Sequence, residues 1–296
     1  MKNTVERRPT SICFGYLLVN TTANTHFEWY YLPEVTNMSV QSYLEQHHVF
    51  SLEEFRSELG EGRTSYNLLT RAVKKGHANR VMRGVYVSRT GQFSEVEPDP
   101  YLVAAAVSQD VVMVYHSALE LHGLAHSPSR RVQFTSSRLA TRFAYRDFEY
   151  ERYQRPKPPA PREDTVSTTL VARARSVVRV TTRERTLVDC INHVDLSGGL
   201  EEVSRSLAAL PYVDASSVIV YLKVLGSPTA VARTGWLLEQ RAKEWYVSSA
   251  ALDEMRAMLG RGPYYLARSN EAGLWVPSWR MYLPSNADQI ERWVHE

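Results

Sequence analysis

SLEEFRSELGEGRTSYNLLTRAVKKGHANRVMRGVYVS, running from Ser51 to Ser88, is the stretch whose reading decides the fold. Ser51-Leu52-Glu53-Glu54 has the S-x-x-E spacing of a capping box, in which the serine and the glutamate each satisfy a backbone N–H of the other, so a helix opens here. Leu52, Phe55 and Leu59 form its inner face. Gly60-Glu61-Gly62 turns the chain, and a further helix runs from Thr64 or Ser65 to Lys75, where Gly76 stands in the position that favours a left-handed stop. With successive residues about 100° apart, Leu68, Leu69, Ala72 and Val73 share one face while Asn67, Thr70, Arg71 and Lys74 project from the other. Arg80–Arg83 and Val85–Ser88 flank Gly84 as two short strands, a hairpin with basic residues on it. Upstream, Val40, Tyr43 and Leu44 follow Ser39 at helical spacing. Three helices and a hairpin in this order predict a winged helix-turn-helix over 38–97.

Charge concentrates in the same stretch. Between Arg63 and Thr90 stand Arg63, Arg71, Lys74, Lys75, Arg80, Arg83 and Arg89 and no acidic residue, which is +7, whereas the whole chain is only 35 − 32 = +3. Everything else therefore sums to 3 − 7 = −4. Bulk charge and a pI of 8.8 do not mark a nucleic-acid binder, but this distribution does. Duplex DNA is the predicted ligand, contacted by Arg63, Asn67, Thr70, Arg71, Lys74, Lys75, Arg80 and Arg83. Asn67 suits an adenine edge and Arg71 a guanine, while Lys74, Lys75, Arg80 and Arg83 meet phosphates or the minor groove. The competing reading is a solvated basic surface with no ligand.

A second unit starts after Glu97-Pro98-Asp99-Pro100, where Asp99 caps a helix through Val107. Val111–Tyr115 reads as a buried strand. His116, Glu120 and His122 follow; as metal ligands they are opposed by Ser117-x-x-Glu120, a capping box that leaves His116 outside the helix, so a structural role is expected. Alternating runs at Arg131–Thr135, Asp147–Tyr153 and Val177–Thr181 predict strands, and Arg155–Pro161 a proline-rich connector. Thr181-Thr182-Arg183-Glu184 reads as another capping box, opening a helix with Leu187, Cys190, Ile191 and Val194 inside. Helices capped by Ser197, Asp214, Ser227 and Ser249 follow. Pro263–Arg268 and Leu274–Leu283 read as a hairpin, Ala287–Val294 as a last helix, and Trp275, Trp279 and Trp293 as packing residues.

A chain of 296 residues with 44% hydrophobic content buries a sizeable core and holds about two domains' worth of material. Residues 1–37 show no clean period and are expected to be an extension or the product of an upstream start. Their apolar run Ile12–Val19 is too short to span a bilayer, and no signal-peptide pattern follows Lys2, Arg7 and Arg8. Cys13 and Cys190 make no CxxC pair, which suits a reducing cytoplasm and implies no structural metal. No P-loop, no full G-x-G-x-x-G, no HExxH, no acidic residue two places before a lysine and no D-x-D occurs. A cofactor-free protein without enzymatic activity is expected.

The chain resembles the AbiEi-type antitoxins of bacterial type IV toxin–antitoxin systems over about Met38–Leu283. The likeness rests on Arg83-Gly84-Val85-Tyr86, on Pro98-Asp99-Pro100-Tyr101-Leu102, on His116 through Leu124 and on Glu184 through Cys190, in that order. It implies an α+β protein with an N-terminal winged helix-turn-helix, 38–97, and a larger mixed α/β C-terminal antitoxin domain, 98–296. It further implies repression of the protein's own promoter at inverted repeats, a nucleotidyltransferase-like toxin as functional partner with no direct contact required, no membrane and a cytoplasmic, nucleoid-associated location. A stand-alone winged-helix regulator whose second domain senses a ligand or partner is the alternative. The first 37 residues and the insert near Arg155–Pro161 depart from the family.

Overall fold

The computed structural model describes residues 38–60, 62–137, 142–153, 167–267 and 273–295. The predicted extension at 1–37, the connector at 155–161 and the loop at 268–272 lie outside them. The fold is mixed α+β, and Met38–Glu296 form one compact unit.

α1 (Val40–Gln46) starts at Ser39, whose hydroxyl accepts the Ser42 N–H at 3.1 Å. A short strand, β1 (Val49–Ser51), leads into α2 (Leu52–Leu59). The capping box at Ser51 is complete: Glu54 N–H donates to Ser51 Oγ at 3.0 Å, and Ser51 N–H to Glu54 Oε2 at 2.7 Å. Ser51→Ala removes the first bond, and a loss of about 1 kcal/mol in urea denaturation is expected; an unchanged midpoint would refute the cap's contribution. α3 (Arg63–Lys74) begins a residue or two earlier than the sequence predicts. It ends where the His77 N–H reaches Ala72 O and the Gly76 N–H reaches Val73 O, with Gly76 at φ 75°. β2 (Ala78–Met82) and β3 (Val85–Ser88) close an antiparallel sheet of order β1-β3-β2. The sequence reading omits β1, which is three residues long and runs straight into the capping box.

Both faces of this sheet are buried. Phe50, Ala78 and Tyr86 face Tyr43, Leu44, Phe55, Leu69 and Ala72, and Phe50 sits 5.3 Å from the Tyr43 ring and 5.9 Å from that of Tyr86. Val85 and Val87 instead join Tyr101, Val103, Val107, Met113 and Val180.

Those partners lie in or next to α4 (Pro100–Ala105), β4 (Val112–Met113), α5 (Tyr115–Leu121), β5 (Arg131–Thr135), β6 (Arg142–Tyr145), β7 (Phe148–Tyr153), β8 (Thr168–Arg173) and β9 (Ser176–Thr181). The strands form one sheet of order β6-β7-β5-β4-β9-β8, parallel at β5–β7 and β4–β9 and antiparallel elsewhere. Asp99 caps α4 as predicted, accepting the Tyr101 N–H at 2.9 Å. The strand expected over Val111–Tyr115 is only two residues long, because Tyr115 turns left-handed at φ 52° and starts α5. β6 and β8 are absent from the sequence reading: as edge strands they are half-buried at best, exposing Arg142 and Ala144 in one and Thr169, Leu170 and Ala172 in the other, and carry no clean apolar alternation.

α5 is shared between two cores. Its Ala118 and Leu121 face the sheet, and Leu119 enters a helical layer made of α6 (Arg183–Asn192), α7 (Leu200–Ala208), α8 (Ala215–Leu225), α9 (Pro228–Gln240), α10 (Ser249–Ala257) and α11 (Ala287–His295). Asp214 and Ser227 are caps as predicted, but Thr182, Gly199 and Ser248 stand at the N-caps in place of Thr181, Ser197 and Ser249. Gly235 inside α9 makes room for the buried Trp279 ring, which a Cβ there would approach to 2.1 Å. The expected hairpin near the end is instead a three-stranded sheet: β12 (Met281–Tyr282) lies between β10 (Tyr264–Tyr265), to which it is parallel, and β11 (Trp275–Val276), to which it is antiparallel. Trp279 and Trp293 are buried as packing residues, whereas Trp275 is 41% exposed.

His48, His122 and His193 are held below the ordinary histidine value, with burial the largest cause in each. As the pH falls below about 6.5, the unfolded chain takes up protons that the folded one resists, so stability present above that point is lost on the way down. A melting temperature that falls between pH 7.5 and 5.5, above the carboxylate range, is expected; a flat profile over that window would contradict it.

Candidate nucleic-acid interface

The inner face of α3 fixes what its outer face can do. Leu69 and Ala72 are buried in the amino-terminal core with Ser65, whose hydroxyl donates to Gly62 O at 3.1 Å. Arg63, Asn67, Arg71 and Lys74 are consequently exposed and Thr70 is half-buried, its hydroxyl donating to Tyr66 O at 2.8 Å. Lys75 at the C-cap, Arg80 on β2 and Arg83 in the β2–β3 turn are exposed too. Arg80 Nε donates to Met82 O at 3.3 Å, which engages one of its five N–H groups. Among the described residues, Arg63, Asn67, Arg71, Lys74, Lys75 and Arg83 have no ion-pair or side-chain hydrogen-bond partner. Arg89, counted in the same basic stretch, is different: it donates to Val96 O at 3.1 Å and faces Glu97 at 3.7 Å, so it holds the chain after β3 in place.

Two residues at this surface escape the sequence reading. Tyr66 is 48% exposed, and since it stands four residues before Thr70 its place on the outer face follows from helical spacing alone. Arg56 comes from α2. It acts on the Tyr86 phenol, which burial pushes above its usual value and which Arg80 and Arg56 pull back, so Arg56 and Arg80 share one neighbourhood that only the fold creates. The N-cap of α3 is Gly62 at φ 116° with no side-chain cap, and first-turn N–H groups without a side-chain acceptor suit an anion.

The histidine-rich stretch is held by hydrogen bonds in an arrangement different from the one its spacing predicts. Ser117 caps nothing: α5 starts at Tyr115, and the Ser117 hydroxyl donates to Arg131 O at 3.4 Å while accepting the Gln133 N–H at 2.8 Å. His116 thus lies inside the helix. Its Nε2 is 3.3 Å from Glu202 and its Nδ1 3.9 Å from Glu120. Both carboxylates are already engaged. Glu202 accepts from the backbone of His126 and Ser127 and from the hydroxyls of Ser127 and Ser206, which hold it below the usual carboxylate value against burial. Glu120 accepts from Ser129 N–H at 2.8 Å and from the Tyr101 hydroxyl. His122 Nε2 donates to Thr181 O at 2.6 Å. Among the described residues, no group of three His, Cys, Asp or Glu is placed to hold a metal ion.

A second buried network ties α6 to α8. Asp189 faces Arg185 Nε at 3.2 Å and accepts the Tyr221 hydroxyl at 2.7 Å, with the guanidinium 5.2 Å over the Tyr221 ring. Burial pushes the Asp189 carboxyl up, and Arg185 and Tyr221 oppose it. Cys190, next to it, is fully buried with its thiol pushed up by burial, as suits a core residue rather than a nucleophile.

Most of the chain resembles a solved structure, that of the RV2827C protein from Mycobacterium tuberculosis, with a TM-score of 0.55 and 17% identity over 90% of this chain and 96% of that one. At that identity the likeness shows a shared fold. No functionally curated protein matches significantly. Residues 111–240, from β4 through α9, match the family described as the AbiEi antitoxin C-terminal domain. That segment, which contains both the His116–Leu124 stretch and the Arg185–Asp189 network, is where the chain is similar to the AbiEi-type antitoxins.

Proposed function

We propose that this protein is an antitoxin that also represses its own transcription, reading promoter DNA through a winged helix-turn-helix over 38–97 while the remainder, 98–296, provides antitoxicity. The antitoxin role is supported by the family match over 111–240. The reading of DNA is supported above all by one observation: α3 turns Arg63, Asn67, Arg71 and Lys74 outward while Leu69 and Ala72 anchor its other side. The element order α1-β1-α2-α3-β2-β3, with a sheet of order β1-β3-β2, suits a helix that enters the major groove with a hairpin beside it. Asn67 and Arg71 have the side chains for adenine and guanine edges. Lys74, Lys75, Arg80 and Arg83 surround them with charge for phosphates.

The system is assigned to type IV, with a nucleotidyltransferase-like toxin encoded next to it and neutralised without obligatory contact. Among the described residues no helix is long and apolar enough to cross a membrane, and action at the nucleoid follows from the DNA reading.

The test is fluorescence anisotropy of the full chain on its own upstream DNA between 50 and 200 mM salt, alongside growth rescue on co-expression with the neighbouring toxin. About five phosphate contacts per protomer give a log–log salt slope near −4.5. Weak binding to any duplex with a flat salt response would remove the repressor half of the proposal, and failure to rescue growth would remove the antitoxin half.

A further inference from the structure

The three-stranded sheet β10-β12-β11 carries a feature that neither antitoxicity nor duplex reading uses. Its inward residues Tyr264, Val276 and Met281 pack on the core of the helical layer. The residues alternating with them, Tyr265, Tyr282 and Trp275, are paired across the strands, Tyr265 with Tyr282 and Trp275 with Tyr282, so they form one row on the outer face. They are 49%, 36% and 41% exposed. The Tyr265 and Tyr282 rings stack at 5.6 Å, and Trp275 lies tilted 4.7 Å from Tyr282. Scattered exposed apolar residues are ordinary, but three adjacent aromatic rings facing solvent are a patch.

We propose that this aromatic row binds the unpaired bases of a single-stranded nucleic acid. Tyr282 is flanked on both sides, which leaves the outer faces of Tyr265 and Trp275 as the two surfaces on which a base can stack. Paired bases in a duplex have their faces covered, so a ring platform selects single strands. The charge around the row agrees. Residues 260–283 carry Arg261, Arg268 and Arg280 against one carboxylate, Glu271, which is +2, in a chain that outside 63–90 is net acidic, and Arg261 and Arg280 are exposed. Arg280 donates to Gly260 O, which ties the two arginine-bearing segments together, and Arg261 has no partner among the described residues. A polyanion fits this surface.

The proposal is independent of the α3 reading and is tested so that the two separate. Fluorescein-labelled oligo(dT) and oligo(U) of about 12 nucleotides are titrated with the full chain in the presence of excess unlabelled random duplex. Both oligonucleotides are expected to bind and to quench tryptophan fluorescence. Tyr265→Ala with Trp275→Ala weakens binding at least tenfold, Arg71→Ala with Lys74→Ala and Lys75→Ala leaves it within threefold, and Trp275→Phe retains binding but loses the quench. No oligonucleotide binding, loss in the α3 variant but not the aromatic one, or quenching that persists in Trp275→Phe would each overturn the proposal. So would an aromatic variant that binds oligonucleotides normally yet changes sedimentation, since the row would then be a contact between copies of the chain. Should the double alanine variant fail to fold, the Trp275→Phe quench still decides.

Discussion

Arg71→Ala is expected to weaken binding to the upstream DNA by about 1–3 kcal/mol, or roughly 5- to 150-fold, and to relax preference at one base pair. The reason is position: Arg71 is exposed on α3 one turn after Asn67, on the side opposite Leu69 and Ala72, with no partner inside the described protein to compete for its guanidinium. Lys74→Ala with Lys75→Ala should act differently. Both residues are phosphate contacts in the proposed complex, so the double change lowers affinity about equally for all sequences and makes the salt slope shallower by about 2. Arg89→Ala serves as the contrast, because Arg89 is committed to Val96 and Glu97. Anisotropy on the specific site and on a scrambled one, each at several salt concentrations, separates these cases. A double variant with the wild-type slope would show that α3 does not meet the backbone.

The largest expected loss of stability comes from Asp189→Ala. The carboxylate faces Arg185 at 3.2 Å and accepts from Tyr221 at 2.7 Å, all within the core between α6 and α8. Breaking a buried pair by removing one partner costs about 3–5 kcal/mol, since the remaining charge stays desolvated without that carboxylate. Against a net stability of about 5–15 kcal/mol, this removes about a fifth or more of what holds a domain folded. Asp189→Asn keeps an acceptor for Tyr221 and should fall between. Urea denaturation of the three proteins checks it, and a loss below about 1 kcal/mol for the alanine variant would show that the network contributes little.

What was legible in the sequence follows from the range of the forces involved. The capping box at Ser51, the stop at Gly76 and the two faces of α3 are set by residues within four positions of one another, and all could be read directly. The eight candidate contact residues lie on or beside one helix and one hairpin, so local spacing suffices to read the exposure of most of them. Arg56 could not be found that way, because it reaches the surface from α2 through tertiary packing. Capping motifs misled where two hydroxyls stood in tandem, as at Thr181 and Thr182 or Ser248 and Ser249, since either can accept a first-turn N–H and the helix's buried face makes the choice. Ser117 misled more seriously: its spacing to Glu120 imitates a cap, but the left-handed turn at Tyr115 starts the helix earlier. Edge strands β6 and β8 and the parallel pairing of β10 with β12 depend on distant partners and leave no local signature.

The sheet β1-β3-β2 is a party wall. Tyr86 on one side of β3 belongs to the core under α3, and Val85 and Val87 on the other belong to the core of the large sheet. A reading head on a tether explores many orientations and must surrender them on meeting its target, whereas one built into a common wall has already surrendered them during folding. The angle at which α3 presents its outer face is therefore a property of the entire body, and a repacking beneath Val85 or Val87 would re-aim the helix without touching any residue of that face.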